Sequence, residues 1–183
     1  RGYNIHNQTT GIAEFDTGSI GHTLAATLDV SYEDYRQQNY TGENPTNSEL
    51  PPLNLGDPGN PGRANQDRVK TASNDTWARS VSLSLFDKVK LTDQWAVLGN
   101  IRYENYKADV SQTFDGGSSS FNKTYHLWSY QAAVEYSPSD DYNFYLSYGA
   151  SEQPPINPTQ EFIGGSDQSD LTTRDPEETR TIE

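Results

Sequence analysis

The sequence predicts an all-β protein: an antiparallel, up-and-down transmembrane β-barrel segment of about seven strands. Three observations predict it. Apolar and polar side chains alternate strictly in several long runs, tight turns alternate with long connections, and aromatic residues gather near the ends of the runs. A strand sends successive side chains to opposite faces, so a two-residue period marks a two-faced strand.

The first run starts at His22, with Leu24, Ala26, Leu28, Val30 and Tyr32 on one face and Thr23, Thr27, Asp29, Ser31 and Glu33 on the other. Next come Trp77, Arg79, Val81, Leu83 and Leu85 against Ser80, Ser82 and Ser84, then Trp95, Val97, Gly99, Ile101 and Tyr103 against Asn100, Arg102 and Glu104. Trp128, Tyr130, Ala132, Val134 and Tyr136 oppose Ser129, Gln131 and Glu135, and Phe144, Leu146 and Tyr148 oppose Asn143, Ser147 and Gly149. Helical spacing is nowhere comparable.

Thr17 to Ile20, Leu91 to Asp93 and Ser137 to Asp141 carry the Gly, Pro and Asp chemistry of tight hairpin turns. The stretches 41–73, 111–124 and 153–177 are rich in Pro, Gly, Asn, Ser and Asp and are expected to be long extracellular loops. In a meander every second connection falls at the same end, so the turns share one end and the loops the other. Outer-membrane barrels are built this way, and Phe15, Tyr32, Tyr35, Trp77, Trp95, Tyr103, Tyr106, Trp128, Tyr130, Tyr142 and Phe144 are placed as their interfacial girdles.

Composition fits such a wall. Of 183 residues 32% are hydrophobic, about 40% with the 14 glycines counted, against about 45–50% in ordinary domains. Aromatics nevertheless reach 11%, which argues against a disordered acidic segment. The net charge of −13 repels phosphate backbones and excludes nucleic acid as a main partner. With no Cys, disulfides, thiolate nucleophiles and Cys-bound metals are excluded. No stretch approaches the roughly 18 apolar residues of a spanning helix, which says nothing against spanning by strands.

Several segments resemble a known family. Phe15-Asp16-Thr17-Gly18-Ser19-Ile20-Gly21-His22-Thr23-Leu24, followed by Leu28-Asp29-Val30-Ser31, is similar to a hairpin of TonB-dependent siderophore receptors. Leu85 to Trp95 with Leu98 to Glu104 resembles that family's "K-L-T-D-x-W" hairpin. Ser129 to Pro138, Tyr145 to Gly149 and Asp175 to Glu183 resemble consecutive later strands. Phe86 and Asn100 depart from the family pattern at positions assigned no chemistry. The resemblance implies a plugged barrel of about 22 strands, of which residues 1–183 are expected to be an interior segment lacking the N-terminal plug. It further implies a Gram-negative outer-membrane location beside lipid and lipopolysaccharide. The cargo would be a ferric siderophore, with no covalently bound cofactor, and coupling to TonB-ExbB-ExbD would run through the plug. The turn Thr17 to Leu24 leans towards catecholate cargo and Pro51 to Leu55 towards hydroxamate, so both stay open, as do the haem, vitamin B12 and oligosaccharide cargoes that the resemblance also allows.

An anionic ferric siderophore with a broad π or apolar face suits cations interleaved with aromatics at the loop mouths. The candidates are Arg36 and Tyr40 at the edge of the first loop, Arg63 and Arg68 within it, Phe114, Phe121, Lys123 and Tyr125 around the second, and Phe162 in the third. Arg102 and Glu104 are expected to pair with charges on neighbouring strands across the lumen. His6, His22 and His126 lack metal-ligand spacing, the Asp-rich loops lack the order of a calcium loop, and no nucleophile motif occurs, so neither a metal site nor an enzyme is expected.

Two rival readings share the composition: a complete small outer-membrane barrel acting as adhesin or pore, and a soluble carbohydrate-binding β-sandwich. The barrel-segment reading makes a distinct prediction. An open sheet edge cannot lie in lipid with its backbone groups unpaired, so the 183 residues refolded alone will not close a barrel. Channels or uptake in liposomes carrying only this chain would contradict it.

Overall fold

The computed structural model describes residues 1–43, 67–155 and 175–183, without the side chains of residues 41–43, 67 and 68. Seven strands form one sheet in sequence order: β1 (Gly2–Thr17), β2 (Ile20–Glu43), β3 (Asp67–Lys90), β4 (Trp95–Phe114), β5 (Gly117–Ser139), β6 (Tyr142–Gln153) and β7 (Glu177–Ile182). Every neighbouring pair is antiparallel. The alternating runs are strands as predicted, and β1 joins them although Asn7, Thr9 and Gly11 break its apolar period.

Three short connections lie at one end: Gly18-Ser19, residues 91–94 and Asp140-Asp141. Gly18 adopts φ 71°, a conformation that costs a residue with a Cβ about 1–2 kcal/mol. The 91–94 turn is closed by its own atoms. The backbone N–H groups of Leu91 and Thr92 donate to the Trp95 carbonyl, and the Thr92 hydroxyl accepts from the N–H groups of Gln94 and Trp95. Pro138 has no N–H to give to a ladder, and the β5–β6 register shifts between Tyr136 and Ser139. There the Ser137 N–H donates instead to the Gln94 carbonyl at 2.8 Å. His22 pins the first hairpin to β3, since its ring stacks on Phe15 and its nitrogens meet Thr17 Oγ1 at 2.8 Å and Asp87 Oδ2 at 2.9 Å.

The opposite end corrects the expected loop at 111–124. That stretch is strand on both sides of a two-residue Asp115-Gly116 turn, with Phe114 opposite Gly117. Gly116 at φ 98° supplies the backbone twist, as Asp-Gly does in two-residue hairpins. The connection expected over 41–73 shortens at both ends, because β2 continues to Glu43 and β3 begins at Asp67. The third connection starts and ends where the sequence puts it, after Gln153 and before Glu177.

The two faces are inverted relative to a soluble sheet. On the outer face Leu28, Val30, Val81, Leu83, Leu85, Ile101, Val134 and Leu146 stay 42–64% exposed, whereas Ser80 and Ser82 on the inner face are buried. Aromatic pairs bound the apolar band. Trp95 stacks on Tyr136 and Phe15 on His22 near the short turns, while Tyr32 with Trp77, Tyr103 with Trp128 and Tyr130 with Tyr148 mark the far side. The belts are diagonal to the hydrogen-bond rows. Tyr32 is level with Arg79 and hence with Lys107, but the β4 ring is Tyr103, residues nearer the short turns. Tyr148 is level with Ala132, again nearer the turns than Trp128. Tilted barrel strands require this stagger, because a level membrane surface cuts each successive strand at a shifted residue.

Leu83 lies midway along the outer band of β3, between Trp77 and Val89. Replacing it with Lys in the intact barrel is expected to cost about 2–4 kcal/mol of folding into bilayers, while Ser84→Lys on the inner face will cost under about 1 kcal/mol. Urea titration of bilayer folding measures both.

Candidate functional site

The inner face divides into a charged belt and, nearer the wide end, an apolar cluster. In the belt Asp29, Glu33 and Glu104 each have a donor. Asn4 Nδ2 donates to Glu33 at 2.9 Å, His6 and Gln8 meet the two oxygens of Asp29 at 2.9 and 3.3 Å, and Arg102 donates to Glu104 at 2.9 Å. The Ser80 hydroxyl donates to the other oxygen of Glu104. Arg102 and Glu104 therefore pair along one strand, being two residues apart on the same face, and not with charges of neighbouring strands as expected from sequence. Closer to the short turns, Lys88 on β3 reaches across β4 to Glu135 on β5 at 2.9 Å, Leu98 being level with Lys88 and Ala96 with Glu135.

The apolar cluster is made by Ala78, Ala108, Val110, Phe121, Tyr125 and Leu127, with Tyr106 packed against it. Once Asp115-Gly116 is the turn, strand register creates the cluster: Phe121 falls opposite Val110 and Tyr125 opposite Tyr106. The rings of Tyr106 and Tyr125 lie 6.5 Å apart. Burial, with the charges of Glu33 and Glu104, raises the Tyr106 phenol above its ordinary range, and burial followed by the Asp175 carboxylate raises that of Tyr125. Both are neutral hydroxyls at neutral pH. The Tyr125 Oη and the Asn74 Nδ2 are buried without a hydrogen-bond partner.

The predicted ligand residues separate accordingly. Phe114, Phe121, Lys123 and Tyr125 share the inner face of one hairpin, but Phe121 and Tyr125 are packed side chains of the cluster and not exposed loop residues. Phe114 remains exposed at the tip, and half-buried Lys123 holds its Nζ 4.8 Å from the Tyr125 ring centroid. Arg36 belongs to the outer face, where its Nε meets Asp75 at 3.3 Å and Asp34 at 3.8 Å; even-numbered β2 residues point away from the lumen. Tyr40 is exposed beside the β2–β3 bulge and donates to Gln38 at 2.6 Å. Arg63 and Phe162 lie outside the described residues; of Arg68 only the backbone is described, opposite Gly42. Tyr35 and Tyr106, read from sequence as girdle residues, lie on the inner face by parity, Tyr106 against the cluster; sequence reasoning missed Asn74 and Gln112 as neighbours of this hairpin, and the signal that finds them is the Asp-Gly turn. Among the described residues no group of His, Asp or Glu is placed to hold a metal ion.

Comparison with known proteins gives this wall a context. The whole chain, residues 1–183, matches the family described as TonB dependent receptor-like, beta-barrel. The catecholate siderophore receptor Fiu of Escherichia coli K12 is 29% identical over 175 residues, covering 82% of this chain and 22% of that receptor. The receptor of the same name from Escherichia coli O157:H7 is 28% identical over the same shares. Among solved structures, the closed form of the ferric-catecholate import receptor Fiu from K12 aligns with a TM-score of 0.74 at 20% identity, over 99% of this chain and 28% of that one. The unliganded ferric citrate transporter FecA aligns at 0.62 with 14% identity, over 82% and 20% respectively. These likenesses show the fold, and the chain spans about a fifth of the length of the curated relatives it matches.

Because the Tyr125 hydroxyl is buried without a partner, Tyr125→Phe in the intact barrel is expected to stabilise it by about 1–3 kcal/mol. Phe121→Ala, which opens a cavity under the hairpin, will cost about 3–5 kcal/mol. Denaturant midpoints at constant slope distinguish the two.

Proposed function

The chain belongs to the TonB-dependent receptor-like β-barrel family, and from that premise we propose that it is part of the wall of an outer-membrane receptor that imports ferric siderophores. The ligand class we propose is an anionic ferric catecholate, in line with the names of the similar receptors. The short-turn end faces the periplasm and the wide end the medium. Ligand is captured at the wide end, the plug is displaced by TonB drawing on the inner-membrane proton gradient through ExbB and ExbD, and the iron complex passes inward.

The observation that carries this reading is the inner face of the β4–β5 hairpin above the aromatic belt, where Lys123 lies over the ring of Tyr125, itself packed with Phe121, and Phe114 is exposed at the tip. An ammonium beside ring faces suits an anion with flat aromatic donors, which gains charge attraction and stacking together. A chain of net charge −13 would otherwise repel such a ligand. The belt below limits that repulsion, because Asp29, Glu33 and Glu104 are each occupied by hydrogen-bond donors. Phe121 and Tyr125 act here through packing: they fix the strand that presents Lys123.

In the complete receptor, Lys123→Gln is expected to weaken binding of a ferric tris-catecholate about tenfold, the equivalent of ~1.4 kcal/mol, with Phe114→Ala weakening it less. Fluorescence quenching on titration gives the affinity, and growth of an iron-limited strain supplied with catecholate, hydroxamate or citrate complexes gives the cargo class. Failure of every ferric complex to support growth would refute the function; a hydroxamate alone supporting growth would refute the catecholate assignment.

A further inference from the structure

Above the packed cluster the inner face carries a buried polar group that neither the packing nor the charged belt uses. Three side-chain amides stand side by side across the strands, Gln37 of β2 opposite Asn74 of β3 and Asn74 opposite Gln112 of β4. Asn74 is only 6% exposed, and the Thr76 hydroxyl donates to its Oδ1 at 3.2 Å. That bond turns the other half of the amide away from Thr76, and Nδ2 is left buried with no acceptor. A buried donor without an acceptor costs stability, so its retention calls for a partner. The row borders a slot of about 20 Å³ whose lining includes Gln37, Asn39, Asn74, Gln112 and Phe114. A single water needs about 10–15 Å³, so the slot admits one oxygen-sized atom and no larger group.

The place of the slot and its neutrality select that atom. Lys123 is level with Ala78, through Ala108, and Asn74 lies four residues further towards the wide end. Phe114, opposite Ala72, is one inner-face step beyond Asn74. The slot therefore falls between the ammonium and the aromatic ring proposed to capture cargo, roughly 13 Å along the strands from the level of Lys123. No residue that lines it carries a charge. An anionic catecholate oxygen gains more beside the ammonium, whereas a neutral carbonyl oxygen matches an amide N–H. We infer that Asn74 is a specificity-determining residue, its Nδ2 donating to a carbonyl oxygen in the linker of the ferric catecholate while Lys123 meets the charge of the complex. The inference rests on the catecholate reading proposed for this same site.

The test uses the complete receptor and two ferric tris-catecholates of equal charge, one with its rings joined through amides and one joined by a hydrocarbon scaffold without carbonyls. Affinity is read by fluorescence quenching, and heat-modifiable gel mobility shows that each variant is folded. Wild type is expected to bind the amide-linked complex at least about fivefold more tightly, as one net hydrogen bond allows. Asn74→Leu and the smaller Asn74→Ala both remove the donor, and each will abolish that preference by weakening the amide-linked complex alone. Lys123→Gln will weaken both complexes and keep the preference. Equal affinity of wild type for the two complexes would overturn the assignment even where the variants fail to fold. So would a folded Asn74 variant that keeps the preference, or one that weakens both complexes equally, which is the mark of a purely structural role. Binding of neither complex by wild type would reject the catecholate reading and the slot with it, whereas equal binding of both rejects the slot and leaves that reading intact.

Discussion

A hydrocarbon environment offers no hydrogen bonds to a peptide group, so each backbone N–H and C=O in a spanning strand must find its partner on an adjacent strand. The rest of this structure depends on that constraint. It forces continuous antiparallel ladders from β1 to β7, so irregularity is confined to the wide-end bulge between β2 and β3 and the bulge beside Pro138. Among the described strands the outer edges of β1 and β7 have no ladder partner. Once the ladders are fixed, every side chain is assigned to lipid or lumen by its parity along the strand. The sheet has no freedom to bury its apolar residues against itself. Leu83 and Leu146 are consequently more exposed in this chain than most of its serines on the inner face.

The two faces then meet different electrostatic problems. Lipid accepts apolar side chains directly, so the outer band needs only height, which the staggered aromatic belts define. The inner face must keep charge in a confined space, and Asp29, Glu33, Glu104 and Glu135 each have a nearby donor. Some donors are neutral, such as Asn4 and Ser80, and some cationic, such as Lys88 and Arg102. These pairs are part-exposed and contribute little stability individually. Their larger effect is on the wall's potential, since an uncovered row of Asp and Glu would exclude any anion from the lumen.

Strands, faces and short turns were legible because they are written in local period and turn chemistry. The long strand arms above the belt were not. Residues 111–124 are polar and Gly-rich enough to read as a loop, and only Asp115-Gly116 betrays that both flanks are paired strand. That oversight moved Phe121 and Tyr125 to an exposed loop mouth when register buries them against Val110 and Tyr106. Arg36 was misplaced for a different reason. Composition marks it as a cation near a loop, but parity puts it on the outer face, where Asp75 engages it. Parity also separates Arg102 from the cross-strand partners expected for it, because Glu104 two residues on shares its face and lies within reach. Residue type suggests a role in each case, and position in the ladder decides whether the side chain can perform it.

Above the aromatic belt the same two strands present cations to both sides of the wall. Lys107 on β4 points outward, and Lys123 on β5 points inward over Tyr125. The two are only a few register positions apart, with Lys107 opposite Thr124. A shift of the β4–β5 pairing by one residue would exchange the faces of one strand, sending Lys123 to the outer face or Lys107 to the inner face. The Asp115-Gly116 turn is what prevents this, because a two-residue loop with one positive-φ glycine admits a single register. A turn at the far tip of the hairpin thus determines which cation stands on the outer face and which on the inner face. The packed cluster beneath it, Phe121 against Val110 and Tyr125 against Tyr106, holds that register where no lipid constrains either face.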